Sequence, residues 1–202
     1  MFDAQETLLT QAARVIASDG VIAFRTDTFY GLGAHPFNIT ALQKLRKLKG
    51  REDGKPILLL ISDASEVDRF IASKSEIFDR VAAEFWPGPL TIVVAARPEL
   101  PIELTAGSGT IGLRLPDDDR VRGIVRACGG ALTATSANPT NQPPARTAIE
   151  VKKYFKDEDI LIIDDGEVTV AAPSTVIDLS EGTPRIIREG LIPSEQLGSL
   201  LN

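Results

Sequence analysis

The sequence predicts an α/β fold: a mixed, twisted open sheet with flanking helices. Three observations carry this. Apolar residues alternate along the chain between helical spacing and short strand-like runs. Ile57–Ile61 is an uninterrupted aliphatic run, as in a central strand covered on both faces. After residue 160 strands follow one another with no helix between, which argues against a regular doubly wound sheet.

The elements follow in order. Leu8, Leu9, Ala12, Val15 and Ile16 fall on one helical face, and Gly20 is a stop. Val21–Phe24 reads as a buried strand. Asn38 or Thr40 caps a helix that buries Leu42, Leu45 and Leu48 and ends at Gly50. Ala64–Ala72 and Ser75–Phe85 read as helices, Leu90–Ala95 and Thr110–Leu115 as strands. Asp117–Asp119 opens a helix running to Cys128, with its acids at the positive end of the helix dipole. Leu132–Ala134, Ile160–Asp164, Thr175–Leu179 and Arg185–Arg188 are further strands, Thr147–Phe155 and Ser194–Leu201 further helices. Asn138–Arg146, rich in Pro, Asn and Thr, is a loop and the candidate mobile cover over a bound ligand. The whole chain, 1–202, reads as one domain.

Composition excludes several chemistries. The chain has 202 residues, one cysteine and one histidine. An internal disulfide and a multi-cysteine or multi-histidine metal site are therefore excluded. A serine–histidine triad would have to use His35. A net charge of −6 argues against non-specific nucleic-acid binding as the main work. No apolar run reaches the ~18 residues of a membrane span, and Met1–Glu6 lacks a basic start, so a soluble cytoplasmic protein is expected.

Two motif matches fail in context. Gly107–Gly112 spells G-x-G-x-x-G, but Leu113-Arg114-Leu115-Pro116 follows as strand and stop, not as the helix a dinucleotide site needs. Asp117–Asp119 reads better as a helix start than as a metal site, and Cys128 as a buried thiol.

Others carry more. Lys44, Arg46, Lys47, Lys49 and Arg51 place five cations within eight residues of an acidic chain. A solvated helix face explains Lys44 and Lys47. Lys49 and Arg51 straddle a glycine, where a point charge and a bidentate fork suit a polyphosphate. Ala134-Thr135-Ser136-Ala137-Asn138 leaves a strand on hydroxyl and amide groups, either as a turn or as a ligand contact beyond a strand end. Arg25–Gly33 and Pro173–Asp178 are a strand-to-loop corner and a polar strand start.

Together these segments resemble the YrdC-like family of threonylcarbamoyl-AMP synthases. The resemblance runs from Val21 to Gly190. It rests on Thr26-Asp27-Thr28 with Tyr30-Gly31-Leu32-Gly33, Lys49-Gly50-Arg51, Lys55-Pro56 and Trp86-Pro87-Gly88-Pro89-Leu90-Thr91. Gly112–Pro116, Ser136-Ala137-Asn138, Ser174–Asp178 and Arg188 with Gly190 complete the series in family order. It implies the short, single-domain form, with a concave, positively charged cavity. The implied substrates are L-threonine, bicarbonate or CO2, and ATP with Mg2+. The implied products are threonylcarbamoyl-AMP and pyrophosphate. A separate tRNA threonylcarbamoyl transferase complex would consume the adenylate to modify adenosine in tRNA, and direct tRNA contact is possible.

The resemblance also implies roles. Lys49 and Arg51 would face the ATP phosphates as the catalytic pair, with Lys55, Thr110, Ser136, Asn138 and Arg188 also on the nucleotide. Thr26, Arg114 and Ser174 would hold threonine, Arg114 through the carboxylate. Arg25, Leu60, Pro144, Ala172-Pro173 and Glu189 depart from the family pattern. Two alternatives stay open at this point: an RNA- or nucleotide-binding module without turnover, and a related carbamoyl-adenylating enzyme using another amine.

Overall fold

The computed structural model describes residues 4–50, 55–169 and 172–198. Seven helices are described: α1 Ala4–Ala17, α2 Ile39–Lys49, α3 Glu76–Phe85, α4 Ile102–Thr105, α5 Asp119–Ala127, α6 Ala148–Tyr154 and α7 Ser194–Gly198. Ten strands accompany them: β1 Ile22–Arg25, β2 Tyr30–Gly33, β3 Leu59–Ile61, β4 Leu90–Ala95, β5 Thr110–Arg114, β6 Ala131–Thr133, β7 Thr135–Ser136, β8 Leu161–Ile163, β9 Thr175–Asp178 and β10 Arg185–Arg188.

Local chemistry sets the boundaries that matter for the site. Asn38 opens α2 by accepting from the Ala41 amide at 3.0 Å. Gly50 closes it at φ 62°, a left-handed position glycine takes without strain, and its amide returns to the Arg46 and Lys47 carbonyls. Lys49 is thereby fixed on the last turn, among the residues of α2 that face inward. Asp118 caps α5, accepting from Arg120 and Val121 amides, so the acidic run is a helix start as expected.

The strands form two sheets. The smaller has the order β7-β2-β1-β8, with β1 antiparallel to β2 and parallel to β8. The larger has the order β10-β9-β4-β5-β3-β6, and its β3–β5 and β4–β9 pairs are parallel. The mixed pairing expected from the sequence is present, divided between two sheets. They join at Ala134, where the chain passes from β6 of one to β7 of the other. The Ala134 amide donates to the Leu58 carbonyl, and Thr133 and Ala34 exchange two bonds across the seam. The Ala134–Asn138 segment is therefore a crossing between sheets.

The core follows the aliphatic runs. Leu59, Leu60 and Ile61 are fully buried in β3, each contributing about 1.5–3 kcal/mol of transfer free energy. A second cluster joins Ala12 and Ile16 of α1, Ile22 and Phe24 of β1, Leu60, Leu132, and the inner face of α5. Cys128 lies in it, and burial pushes its thiol up to about 12, so it stays protonated.

Three expectations are corrected. The helix over Ala64–Ala72 is a short 3-10 turn, Ala64–Arg69, because Ile71 and Ala72 leave it to bond beside Ala96 and Ala95 at the end of β4. The corner at Arg25–Gly33 contains a full strand, β2. The short α4 lies where no helix is expected. Among the described residues, no helix is long and apolar enough to cross a membrane.

Candidate active site

A cleft of about 750 Å3 is bounded by both sheets. One wall of its floor comes from alternate residues on neighbouring strands: Thr91 and Val93 of β4, Thr110 and Gly112 of β5, Val176 and Asp178 of β9. Thr135 and Ser136 of β7, with Phe29 from the β1–β2 turn, face them. Lys55, Pro144, Ile187 and Arg188 complete the rim.

At one end, α2 meets the sheet crossing. The Lys49 ammonium, 2 % exposed, donates to the carbonyls of Ser136 and Asn138, both at 2.6 Å, and to Asn138 Oδ1 at 3.0 Å. Ser136 Oγ lies 3.3 Å away. The Asn138 amide nitrogen donates in turn to the Gln142 and Pro139 carbonyls. The Thr140 amide and hydroxyl return to the Lys49 carbonyl. Two motifs 87 residues apart are thus locked into one unit, with Lys49 as its centre. Ser136 faces the cleft. Asn138 is 7 % exposed, and both ends of its amide are engaged by protein.

Arg114 is the last residue of β5. Side chains alternate along β5, so it follows Thr110 and Gly112 on the same face of the sheet, without itself lining the cleft. It is 2 % exposed. Its Nη2 lies 3.0 Å from Asp27 Oδ1, close in distance but misaligned for a hydrogen bond, so Oδ1 has no donor among the described residues. Among the described residues, Arg114 Nε and Nη1 also find no hydrogen-bond partner. Burial pushes the guanidinium down from its ordinary value, with Asp27 pulling partly back and Arg188 adding to the fall. Burial likewise raises Asp27, and Arg114 offsets this only in part.

The remaining expected residues lie partly in the cleft lining and partly beside it. Thr110 and Lys55 line the cleft. Arg188 lines it and donates to the Ser174 carbonyl at 2.9 Å, and burial lowers its pKa. Ser174 Oγ lies 2.9 Å from Thr91 Oγ1. Gly190 passes so close to Pro173 that an added Cβ would stand 2.2 Å from its carbonyl oxygen, which explains the glycine beside Arg188. Thr26 is 3 % exposed, and its hydroxyl closes the β1–β2 turn, donating to the Phe29 carbonyl at 2.6 Å and accepting from the Thr28 and Phe29 amides. Arg51 lies outside the described residues. The Asn138–Arg146 loop is tied at both ends, by Thr140 to Lys49 and by the Ala145 carbonyl to the Tyr30 amide.

The departures from the family pattern also find positions. Arg25 donates to Asp118 at 3.2 Å and stands 3.8 Å from Asp165. Leu60 is fully buried beside Arg114 in the sheet register. Pro144 lines the cleft, the Pro173 carbonyl accepts from Leu191, and Glu189 accepts from the Ser194 amide. Residues given no role by sequence reasoning are Thr91, Ser108, Asp178 and Asp27. The period of two along β4 and β9 could have found Thr91 and Asp178 once Ser174 was singled out. The Asp178 carboxyl, though burial raises it, is held below its ordinary value by Ser180 and Arg185. His35 is half-buried, accepts from the Phe37 amide and is pushed down by burial and by Arg69; it does not line the cleft.

Comparison with known proteins points to one family. Residues 14–190 match the Sua5/YciO/YrdC family model, described as "Telomere recombination". A Bacillus subtilis threonylcarbamoyl-AMP synthase is 31% identical over 96% of this chain and 56% of its own length. A Thiobacillus denitrificans threonylcarbamoyl-AMP synthase is 37% identical over 81% of this chain and 86% of its own. The crystal structure of Pyrococcus abyssi Sua5 complexed with L-threonine superposes with a TM-score of 0.91 at 30% identity, over 98% of this chain and 58% of that one. Escherichia coli YciO superposes at 0.85 with 27% identity, over 96% and 94%. The chain spans little more than half the length of the Bacillus and Pyrococcus proteins. With the family model matching most of its length, the chain belongs to the Sua5/YciO/YrdC family.

Proposed function

We propose that the chain is an L-threonylcarbamoyladenylate synthase, condensing L-threonine, bicarbonate or CO2, and ATP to threonylcarbamoyl-AMP and pyrophosphate. The observation that carries this is the cleft lining, which brings Lys55, Thr110, Ser136 and Arg188 together, with Arg114 buried on the same face of β5 as Thr110 and Gly112. A guanidinium fork suits a carboxylate, and two rim cations suit phosphates. The threonine complex of the Pyrococcus relative supports an amino acid as one occupant.

The neutral threonine amine attacks CO2, giving a carbamate and releasing a proton to solvent, or bicarbonate, giving a carbamate and water. A carbamate oxygen then attacks the α-phosphorus, whose bond to the bridging oxygen breaks as pyrophosphate leaves. Such a transfer needs positioning and charge stabilisation more than a protein nucleophile. Arg114 orients threonine by its carboxylate, with Ser174 and Thr91 on the same floor. Ser136 and Thr110 contact the nucleotide. Lys55, Arg188 and Arg51 meet the phosphates, and Mg2+ enters with ATP as part of that substrate. Lys49 faces the phosphate side of the same turn, and its bonds to Ser136 and Asn138 also hold that turn in place. The adenylate then passes to a tRNA-modifying transferase, which places the reaction in the cytoplasm.

Pyrophosphate release by the purified chain tests this. Release should require threonine, bicarbonate and ATP together. Release with another amino acid in preference to threonine would move the assignment to a different amine. Salt-dependent RNA binding with no release would replace the enzyme by a binding module.

A further inference from the structure

Thr140, two residues beyond Asn138, has no role so far. Its amide donates to the Lys49 carbonyl at 3.0 Å, and its hydroxyl donates to the same oxygen at 2.6 Å. Lys49 is the last residue of α2, and a helix leaves its final carbonyls without partners of its own. Gly50 returns its amide to the Arg46 and Lys47 carbonyls. The Lys49 carbonyl is taken instead by Thr140, 91 residues away.

This link runs opposite to the one already described. There the Lys49 side chain reaches the Ser136 and Asn138 carbonyls; here the Thr140 side chain reaches the Lys49 backbone. The two respond differently to a polyphosphate. An ammonium that turns toward a phosphate loosens its hold on two carbonyls, because the charged acceptor binds it more strongly. Thr140 does not line the cleft, so its bond is not exchanged when a ligand enters. The loop that carries it is braced as well. Asn138 Nδ2 donates to the Pro139 and Gln142 carbonyls, the Ala137 amide to the Tyr30 carbonyl at 2.7 Å, and the Tyr154 hydroxyl to the Pro143 carbonyl at 3.1 Å. Thr140 therefore ties the end of α2 to a turn that is itself held.

We propose that Thr140 is a positioning residue for the nucleotide: its hydroxyl holds the Lys49 backbone against the Ser136–Asn138 turn and keeps the two motifs at one spacing while the Lys49 ammonium engages phosphate. This rests on the ATP-dependent function proposed above and deepens it. Thr140 touches no substrate and acts through Lys49. A small displacement of a binding group costs affinity and rate out of proportion to the bond that is lost.

Pyrophosphate release by the full chain tests it with Thr140→Val, which keeps the amide and the branched shape but removes the hydroxyl, and with Thr140→Ser, which keeps the hydroxyl. Thr140→Val should raise the KM for ATP by about three- to tenfold and leave the KM for threonine within about twofold of the parent. Thr140→Ser should bring the KM for ATP back to within about twofold. Thr140 is exposed, so both variants should keep their Tm within about 4 °C of the parent. An unchanged KM for ATP in Thr140→Val, equal rises for ATP and threonine, or a Thr140→Ser as impaired as Thr140→Val overturns the role of Thr140 alone. A Thr140→Val chain that fails to fold does the same, because it makes the residue architectural. If the parent releases no pyrophosphate, the function fails, and calorimetric titration with ATP decides the role of Thr140: weaker binding by Thr140→Val alone supports it, and equal binding or none by the parent overturns it.

Discussion

Lys49 and Arg114 are both 2 % exposed, yet their surroundings differ in kind. The Lys49 ammonium meets two backbone carbonyls and one amide oxygen at 2.6–3.0 Å. Among the described residues, Arg114 meets one misaligned carboxylate and leaves two N–H groups unmatched. Burying a charge is costly unless hydrogen bonds replace water. At the Lys49 end the protein supplies that replacement itself. At the Arg114 end, among the described residues, it does not, and the proposed threonine carboxylate would supply part of it. Burial alone does not distinguish a structural cation from a binding one; hydrogen-bond satisfaction does.

The sharpest way to break this contrast is Lys49→Met. The substitution leaves the Ser136 and Asn138 carbonyls and Asn138 Oδ1 without their donor. The expected cost is about 3–5 kcal/mol of stability. For a chain of this size that lowers Tm by roughly 10 °C, read by thermal denaturation. A Tm like that of the parent would mean that the crossing between sheets holds without Lys49.

Arg114→Met should give the opposite pattern. Threonine-dependent pyrophosphate release should fall by roughly 30- to 1000-fold, about 2–4 kcal/mol of transition-state stabilisation. Its Tm should stay level or rise, because an apolar side chain removes a buried, poorly matched charge. A large fall in Tm with the rate retained would place Arg114 with Lys49 among the structural cations.

How much of this was legible in the sequence varies with the range of the interaction that decides it. Asn38, Gly50 and Asp118 act on neighbours within four residues, and their caps stand where the residue types predict. The aliphatic run at Ile57–Ile61 predicts a central strand because burial on both faces leaves no alternation to misread. Strand β2 was hidden: Gly31 and Gly33 break the apolar pattern, and the strand is specified by its partners β1 and β7. The Ala64–Ala72 segment fails as a helix because Ile71 pairs with Ala96, a contact no local window contains. Lys49-Gly50-Arg51 and Ser136-Ala137-Asn138 were visible as motifs. That Lys49 is spent on the second of them is a fact of tertiary structure, as is the position of Asp27 opposite Arg114.

The smallest expected effect is also the finest test of the contrast, because it asks whether Asp27 is content as a partner of Arg114. Burial raises the Asp27 carboxyl, and Arg114 only partly reverses this. A carboxyl raised on folding contributes stability that is fully present below its unfolded pKa of about 3.9 and is lost as pH rises through the folded value. Asp178 behaves in the opposite sense. It is lowered on folding, so its contribution is present above its unfolded pKa and lost as pH falls. Asp27→Asn leaves Asp178 untouched and removes only the Asp27 titration. The difference in Tm, variant minus parent, should therefore grow more positive as pH rises from about 3 to about 7. A difference that grows more negative would show that Arg114 holds Asp27 as a stabilised carboxylate. Arg114 and Lys49 would then be alike, each engaged by groups of the protein itself.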